Sequence, residues 1–401
     1  MADETGFNLH YITDSLLGSQ TANSVAKIEM AKAFCKQNNV KKLYFYTLAN
    51  NKEKLQCLRP GNISQKLTIK PLFFKWYKER VLHNKNLWSI FYSLFFVSPI
   101  SYLRAFFLAL TLPKTDKVFI RAYKNLKGFY LGSLITNAKY AFELHNYSFG
   151  RKRFSDFLYR RIMKRAEFIV TVSAYTKHGW VNNGISEDKI IVLPSGVNIE
   201  DFDAIDKNKD QLRKELGLGT DKKIITYSGG LYENRGIEEL LYCASKYENY
   251  LFLFMGGVEE HIKKYEAYIQ SQFRKKMPNV IFTGYVEHEK IALYLKASDI
   301  LAAPYSKKIK TAAHMSPIKL IEYMASKVPV IASDLPSIKD ISAEEELTFF
   351  QADNTRDLCE KIEMIFNNYE QAKSKALKAY EKAKNLSWKK RTGKIVNLFQ
   401  N

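Results

Sequence analysis

The sequence that decides the fold is His314-Met315-Ser316-Pro317-Ile318-Lys319-Leu320-Ile321-Glu322-Tyr323-Met324-Ala325, followed by the buried-strand pattern Val328-Pro329-Val330-Ile331-Ala332-Ser333-Asp334. A Ser-Pro turn before an amphipathic helix leaves backbone N–H groups at the positive helix end, where an anion can bind. Glu322, nearly two turns later, supplies a carboxylate. A nucleoside diphosphate suits both, because its phosphates need N–H donors and its ribose hydroxyls need an acceptor. The alternative is an ordinary helix start with proline in the first turn.

This run resembles the donor-binding signature of the retaining glycosyltransferases of family four, also described as glycosyl transferases group 1, which have the GT-B fold. The family usually carries two glutamates; Glu322 matches the second, which contacts the donor ribose, whereas His314 occupies the first position. The Ser-Pro-x-Lys-Leu-x-Glu-Tyr-Met-Ala form resembles a branch that lacks the first glutamate. The resemblance implies that the donor nucleotide contacts His314, Met315, Ser316, Pro317, Leu320 and Glu322.

Two further turns point to the same donor. Gly229-Gly230 follows a predicted strand, where glycines let a ligand approach the backbone, and Arg235 is placed to reach a phosphate. The family often has a second cation at the position of Gly230, so Lys319 is the expected substitute. The resemblance also places the nucleobase near Gly284-Tyr285-Val286, which adds Tyr285 and Val286 to the candidates. The alternatives are a plain tight turn for the glycines and a core position for Tyr285.

In the first half, Phe142-Glu143-Leu144-His145-Asn146 ends a predicted strand, and the ends of parallel strands face the crevice where ligands bind. It resembles the Glu-x-His segment of the family, which implies that His145 points toward the donor sugar. The alternative is a structural histidine with satisfied hydrogen bonds. Gly18-Ser19 occupies the loop after the first strand, where relatives have paired glycines near the donor phosphate, so Gly18 is a further candidate.

Short apolar strands alternate with helical segments along the whole chain, which is typical of doubly wound parallel sheets. The polar segment Asn198–Leu218 predicts the domain junction. With the resemblance, the pattern predicts an α/β protein of the GT-B class, with two Rossmann-like doubly wound domains facing a central cleft. We expect an N-terminal acceptor-side domain over residues 1–198, a C-terminal nucleotide-sugar-binding domain over 199–383, and a final helix, about 384–401, that packs back on the first domain.

Charge is distributed unevenly over the 401 residues, which carry a net charge of +21. Residues 1–200 contain 30 Lys and Arg against 13 Asp and Glu, whereas residues 201–401 contain 32 against 28. Lysines that serve only solubility would be spread evenly. The bias predicts a surface in the first half that meets anions, with cytoplasmic lipid leaflets, nucleic acids and acidic glycans as the available classes.

The four cysteines, Cys35, Cys57, Cys243 and Cys359, match no metal or redox spacing, and we expect buried thiols in a reducing compartment. The first residues have neither the basic start nor the apolar core of a signal peptide. These observations predict a cytoplasmic location.

Residues 71–112 are dense in aromatic and basic side chains. The uncharged run Asn86–Leu103 approaches the length of a membrane span, but Pro99 interrupts it and Arg104 follows, so a span is not expected. Two interpretations stay open: the segment lies in the lipid headgroup region, or it forms a pair of helices packed on the first sheet.

Rival signatures are weak or missing. Asp201-Phe202-Asp203 has the carboxylate spacing of a metal site, but it lies in the polar junction, and we expect no metal. The sequence contains no Gly-x-Gly-x-x-Gly, P-loop or Gly-x-Ser-x-Gly pattern, which disfavours nicotinamide, P-loop and hydrolase chemistry. The basic residues follow no nucleic-acid-binding module.

The sequence therefore predicts a metal-independent retaining glycosyltransferase of the hexosyltransferase type. The expected catalytic residues are His145, Arg235 and Lys319, and the donor is a nucleotide-diphosphate sugar without a further cofactor. The expected acceptor is a glycan or lipid-linked glycan in polysaccharide, lipopolysaccharide or capsule biosynthesis, and the enzyme is expected to lie peripherally on the anionic inner face of the cell membrane. Two alternatives stay open, a non-catalytic polyanion- or membrane-binding protein and a GT-B nucleotide-sugar epimerase.

Overall fold

The structure is a computed structural model and describes residues 6–14, 22–49, 63–73, 98–145 and 153–400. Gly18, Cys57, Asn146 and residues 74–97 of the aromatic segment lie outside these ranges. Within them the chain forms two compact units. The first comprises residues up to Leu193 together with Trp388 onward, and the second comprises Pro194–Ser387.

The first unit is built on a seven-stranded parallel sheet in the order β3-β2-β1-β4-β5-β6-β7. Its strands are β1 (Phe7–Thr13), β2 (Val40–Ala49), β3 (Leu67–Phe73), β4 (Lys117–Arg121), β5 (Ala141–Leu144), β6 (Ile169–Thr171) and β7 (Ile190–Val192). Its α-helices are Ala22–Cys35, Ile63–Lys66, Ser98–Thr111, Tyr123–Thr136, Arg153–Arg165, Ala174–Val181 and Trp388–Leu398. β1 is an interior strand: Leu9 and Tyr11 are fully buried and pair with β2 on one side and β4 on the other.

The second unit is built on a six-stranded parallel sheet in the order β10-β9-β8-β11-β12-β13. Its strands are β8 (Lys223–Ser228), β9 (Tyr250–Met255), β10 (Val280–Gly284), β11 (Ile300–Ala303), β12 (Val330–Ser333) and β13 (Thr348–Phe350). Its α-helices are Glu200–Asp203, Lys209–Glu215, Ile237–Lys246, Glu259–Phe273, His288–Ala297, Ile318–Ala325, Pro336–Lys339, Thr355–Asn367 and Tyr369–Ala383. Two apolar cores cover the sheet, one built around Leu320 and Tyr323 and the other around Leu240 and Phe254.

The polar segment after Asn198, where the sequence suggests a junction, belongs to the second unit. The backbone of Val197 pairs with that of Ser387, and Ser195 is hydrogen-bonded to Ser316, so the chain already contacts the rest of the second unit before residue 198. The chain passes from the first unit to the second at Leu193–Pro194 and returns to the first unit at Ser387–Trp388.

Two of the cysteines differ from the expectation of free thiols. Cys243, on the helix Ile237–Lys246, and Cys359, on the helix Thr355–Asn367, form a disulfide between two packed helices. Cys35 is a buried free thiol, as expected. Local spacing rules miss the pair because the two residues are 116 positions apart.

Helices Ser98–Thr111 and Tyr123–Thr136 pack closely in the first unit because glycine lies at their contact. A Cβ atom on Gly128 would stand 2.1 Å from the carbonyl oxygen of Tyr102, and one on Gly132 would stand 2.5 Å from that of Phe106. None of the helices in the described ranges is long and apolar enough to cross a membrane.

We expect Gly128→Ala to lower the free energy of unfolding of the first unit by about 1–3 kcal/mol, since the added methyl forces two helix backbones apart. The matched control is Gly393→Ala, also within a helix, where the new methyl would meet the side-chain amide of Gln37 at 3.3 Å rather than a backbone atom. There the change should stay within about 1 kcal/mol, because the gain in helix propensity from alanine offsets the small shift required of Gln37. Urea unfolding of both variants tests this, and equal effects would contradict the close helix contact.

Candidate active site

The candidate site of the second unit lies where the sheet order reverses. The chain leaves β8 toward β9 and β10 on one side and returns with β11 on the other, so β8 and β11 are neighbours at the centre. In open parallel sheets, ligands bind in the crevice that such a reversal leaves at the carboxyl ends of the strands. Gly229 follows β8 and Tyr305 follows β11, so both lie at this edge.

Glycines bring the loops after β8, β9 and β10 into backbone contact. Gly229 has φ +129°, and its N–H donates to the carbonyl of Met255 at 2.8 Å. Gly256 has φ +104°, and a Cβ atom there would stand 2.6 Å from the Gly229 carbonyl oxygen. The N–H of Gly256 donates to Gly284 at 2.7 Å. Since side chains are excluded at these points, the strand ends present backbone to the crevice.

Arg235 and Lys319 meet at this edge on a shared aromatic ring. Lys319 Nζ lies 3.7 Å from the ring centroid of Tyr227 and 4.6 Å from that of Tyr305, and Arg235 Cζ lies 5.2 Å from the Tyr305 centroid. Burial and then the charge of Arg235 hold the pKa of Lys319 well below its usual range, while Glu322 acts in the opposite direction. Burial likewise raises the pKa of Tyr305. The site therefore brings a guanidinium and a buried amine together where solvent screens charge poorly, and this environment disfavours the charged form of Lys319.

The helix Ile318–Ala325 begins at Pro317, whose backbone is extended, and no side chain caps it. The hydroxyl of Ser316 accepts from the Ser195 N–H at 2.8 Å, and the Ser195 hydroxyl donates to the Ser316 carbonyl at 3.0 Å. Further along the same helix, the hydroxyl of Tyr323 accepts a hydrogen bond from the N–H of Ser228 at 2.7 Å. These bonds fix the helix start beside the end of β8.

The other predicted donor contacts lie in different surroundings. Tyr285 is 55% exposed just beyond β10, whereas Val286 and Met315 pack on the core edge. His314 is half-buried, with its pKa lowered by burial, and its N–H donates to Thr311. Leu320 is fully buried, and its N–H donates to Pro317, so we interpret it as a packing residue.

In the first unit, His145 lies just beyond the carboxyl end of β5, beside a buried ion cluster. Its Nε2 is 2.7 Å from Glu143 Oε1 and 2.9 Å from Arg121 Nε. Glu143 is also 3.3 Å from Arg121 and 3.1 Å from Arg391, which comes from the helix Trp388–Leu398. Burial and the charge of Arg121 lower the pKa of His145, which favours the neutral imidazole.

The cluster carries more positive than negative charge. The side chains of Arg121, Arg391 and Lys27 are at most 5% exposed, and that of Glu143 is fully buried. Lys27 pairs with the half-exposed Asp14. The two arginines hold the pKa of Glu143 well below its usual range although burial opposes them. Sequence reasoning found His145 but missed Arg121 and Arg391, because the cluster forms only when the end of the chain returns to the first sheet.

Both sheets, with their doubly wound order, give the chain the GT-B fold, which confirms the predicted fold class. Residues 208–385, nearly all of the second unit, match the family profile described as Glycosyl transferases group 1. HepE of Anabaena, solved in complex with UDP, superposes with a TM-score of 0.73 at 14% identity over 98% of this chain and 100% of its own. Sucrose-phosphate synthase of Thermosynechococcus elongatus gives 0.74 at 16% identity over 98% of each chain.

Curated relatives agree with this group. The processive diacylglycerol alpha-glucosyltransferase of Acholeplasma laidlawii is 24% identical over 212 residues, which are 51% of this chain and 61% of that protein. TuaH of Bacillus subtilis, a glycosyltransferase assigned provisionally to teichuronic acid biosynthesis, is 25% identical over half of each chain. The chain thus spans between half and about three-fifths of these relatives' length. The matches thus relate the second unit of this chain to glycosyl transferases group 1.

Proposed function

We propose that the protein is a retaining glycosyltransferase that moves a hexose from a nucleotide-diphosphate sugar to a lipid-linked or surface-polysaccharide acceptor at the inner face of the cell membrane. The observation that carries the proposal is the convergence of Arg235 and Lys319 on Tyr305, at the uncapped start of the helix Ile318–Ala325. Two cations and a positive helix end suit a diphosphate, and Glu322 suits a ribose.

In the proposed reaction, the acceptor hydroxyl oxygen bonds to the anomeric carbon of the donor sugar. The bond from that carbon to the diphosphate oxygen breaks, the diphosphate leaves with the electron pair, and the hydroxyl proton passes to it. Arg235 and Lys319 stabilise the charge that develops on the leaving group, without a metal. Neutral His145 offers a hydrogen bond to the transferred sugar. For retention, the acceptor attacks from the side of the leaving group.

The acceptor class is supported by two features. The first-half charge excess suits an anionic leaflet or an anionic glycan. The relatives include a diacylglycerol glucosyltransferase and a protein assigned provisionally to teichuronic acid biosynthesis. We therefore place the protein peripherally on the cytoplasmic side of the membrane, in the synthesis of a cell-surface glycan such as a lipopolysaccharide or capsule. The first unit would take the acceptor and the second the donor.

The proposal predicts that one nucleotide-diphosphate sugar from a panel of uridine, guanosine and adenosine derivatives raises the midpoint of thermal unfolding. The reason is that a ligand bound only by the folded protein stabilises it. Glu322→Ala should abolish the shift, since the ribose loses its acceptor. Glu370→Ala, which removes an exposed carboxylate on the helix Tyr369–Ala383, is the matched control and should keep it.

Differential scanning fluorimetry of the wild type, Glu322→Ala and Glu370→Ala tests the proposed donor site. A shift that survives in Glu322→Ala would place the nucleotide elsewhere. No shift with any nucleotide sugar would reject the donor site and favour a non-catalytic binding protein. Conversion of the donor sugar to its epimer, without transfer, would replace the proposal with the epimerase alternative.

A further inference from the structure

The helices Ser98–Thr111 and Tyr123–Thr136 of the first unit present large apolar side chains to solvent. Leu103 is 51% exposed, Phe107 58% and Ile135 70%. Three more large hydrophobic side chains on these helices are at least 38% exposed, namely Ile100, Leu131 and Leu134. Apolar exposure of this density in one place marks an interaction surface rather than scattered surface residues.

The six side chains belong to one continuous surface. On the first helix they recur at intervals of three and four residues, and on the second they fall within one turn, so each set occupies one helix face. The opposite faces, through residues such as Ala105 and Phe129, are buried against the sheet. The close contact at Gly128 holds the two helices side by side. We call this surface the apolar helix face.

Positive charge borders the apolar helix face. Neither of its helices contains an aspartate or glutamate. The neighbouring helix Arg153–Arg165 has five Arg and Lys against a single Asp. It is fixed beside the face by Arg165, which donates to the Ser133 carbonyl at 2.7 Å, and by Lys127, whose Nζ lies 5.1 Å from the Tyr159 ring centroid. Arg160, Arg161 and Lys164 of this helix are exposed.

We propose that the apolar helix face and the basic helix Arg153–Arg165 dock together on an anionic lipid bilayer. The proposal rests on the proposed function in that the acceptor is taken to be lipid-linked. Apolar side chains bordered by positively charged side chains match the interfacial zone of such a bilayer, where acyl chains lie beneath anionic headgroups. A second copy of this chain is the weaker occupant, because it would bring the same positive border against itself.

The test is co-sedimentation of the full chain with vesicles of phosphatidylglycerol and phosphatidylcholine in equal amounts, and with vesicles of phosphatidylcholine alone. We expect the wild-type protein to bind the anionic vesicles, and Leu103→Glu and Phe107→Glu each to weaken binding by at least about tenfold. Leu377→Glu, at a residue 54% exposed on a helix of the second unit, is the matched control and should bind like the wild type.

Charge is tested separately with Arg161→Glu and Lys164→Glu. Each should weaken binding by at least about fivefold at low salt, because a basic residue near an anionic surface contributes about that factor. The control is Lys378→Glu, an exposed lysine of the second unit, and it should have no effect. Raising the salt concentration should reduce wild-type binding, since exposed charges are screened over about 10 Å at 0.1 M.

A failure of this surface can be distinguished from a failure of the donor site. The thermal shift with the nucleotide sugar should be kept in Leu103→Glu and Phe107→Glu, and it also shows that these variants are folded. If Phe107→Glu does not fold, Phe107→Ser removes the apolar contact more mildly. The proposal would be overturned if either variant bound anionic vesicles as well as the wild type does, or if the wild type did not bind them. It would also be overturned if light scattering showed a dimer that Phe107→Glu dissociates.

Discussion

Glu143→Gln is expected to lower the free energy of unfolding of the first unit by about 3–5 kcal/mol, the usual cost of leaving buried charges without their partner. The substitution keeps the shape of the side chain but removes the charge that holds Arg121 and Arg391, both of which are almost fully buried. The effect should be measured by urea unfolding at neutral pH.

A surface ion pair in the same unit gives the control. Glu187 is 70% exposed and lies 3.1 Å from Lys177, so Glu187→Gln should change the unfolding free energy by no more than about 1 kcal/mol. Because the pKa of Glu143 is held below its usual range in the folded state, its contribution is present near neutral pH and disappears as acid protonates it. The loss in Glu143→Gln should therefore shrink at low pH, and a pH-independent loss would contradict the ionic cluster.

The second large effect is expected at Lys319. Lys319→Met should lower the rate of sugar transfer by at least about 100-fold, the usual result of removing a group that stabilises transition-state charge. The same substitution should leave the thermal midpoint unchanged or raise it, because a cation in a desolvated position costs stability in the free protein. Loss of activity combined with retained stability distinguishes a site residue from a packing residue. Lys378→Met, on the surface of the second unit, should change neither.

The depressed pKa of Lys319 also sets the pH dependence of donor binding. A bound diphosphate favours the charged amine, so the pKa of Lys319 is higher in the complex than in the free protein. Affinity should be greatest below the pKa of the free protein and should fall as pH rises toward the pKa of the complex. Titration calorimetry of the nucleoside diphosphate across this range should show proton uptake that Lys319→Met abolishes. The same slope in the variant would show that another group titrates.

Short apolar runs with charged or polar neighbours predict strands at Lys117–Arg121, Lys223–Ser228 and Thr348–Phe350. The structure has β4, β8 and β13 over these same residues. The strand pattern of the sequence does not include β3, which contains Pro71. The structure explains the exception: β3 is the outer strand of its sheet, where proline is tolerated.

In the candidate sites, local motifs predict single residues but not the contacts between residues that are distant in the sequence. Arg235 and Lys319 were found from short motifs, but their meeting on Tyr305 was not, since a tyrosine after a buried strand looks like any core residue. Arg391 and Glu143 were not recognised as partners because no local pattern links residues in different parts of the chain. Leu320 illustrates the converse: it belongs to the motif, yet its periodic position on the helix puts it in the core.

The path of the chain through the two units has a consequence for how the protein is made. The second unit is one continuous stretch, Pro194–Ser387, whereas the first is completed only by the helix that begins at Trp388. During synthesis on the ribosome, the strand that carries Glu143 emerges long before Arg391, so the carboxylate gains one of its two arginine partners only later. The second unit can fold while the first is still held open. The helix that begins at Trp388 therefore closes the first unit only after the whole of the second unit has been synthesised.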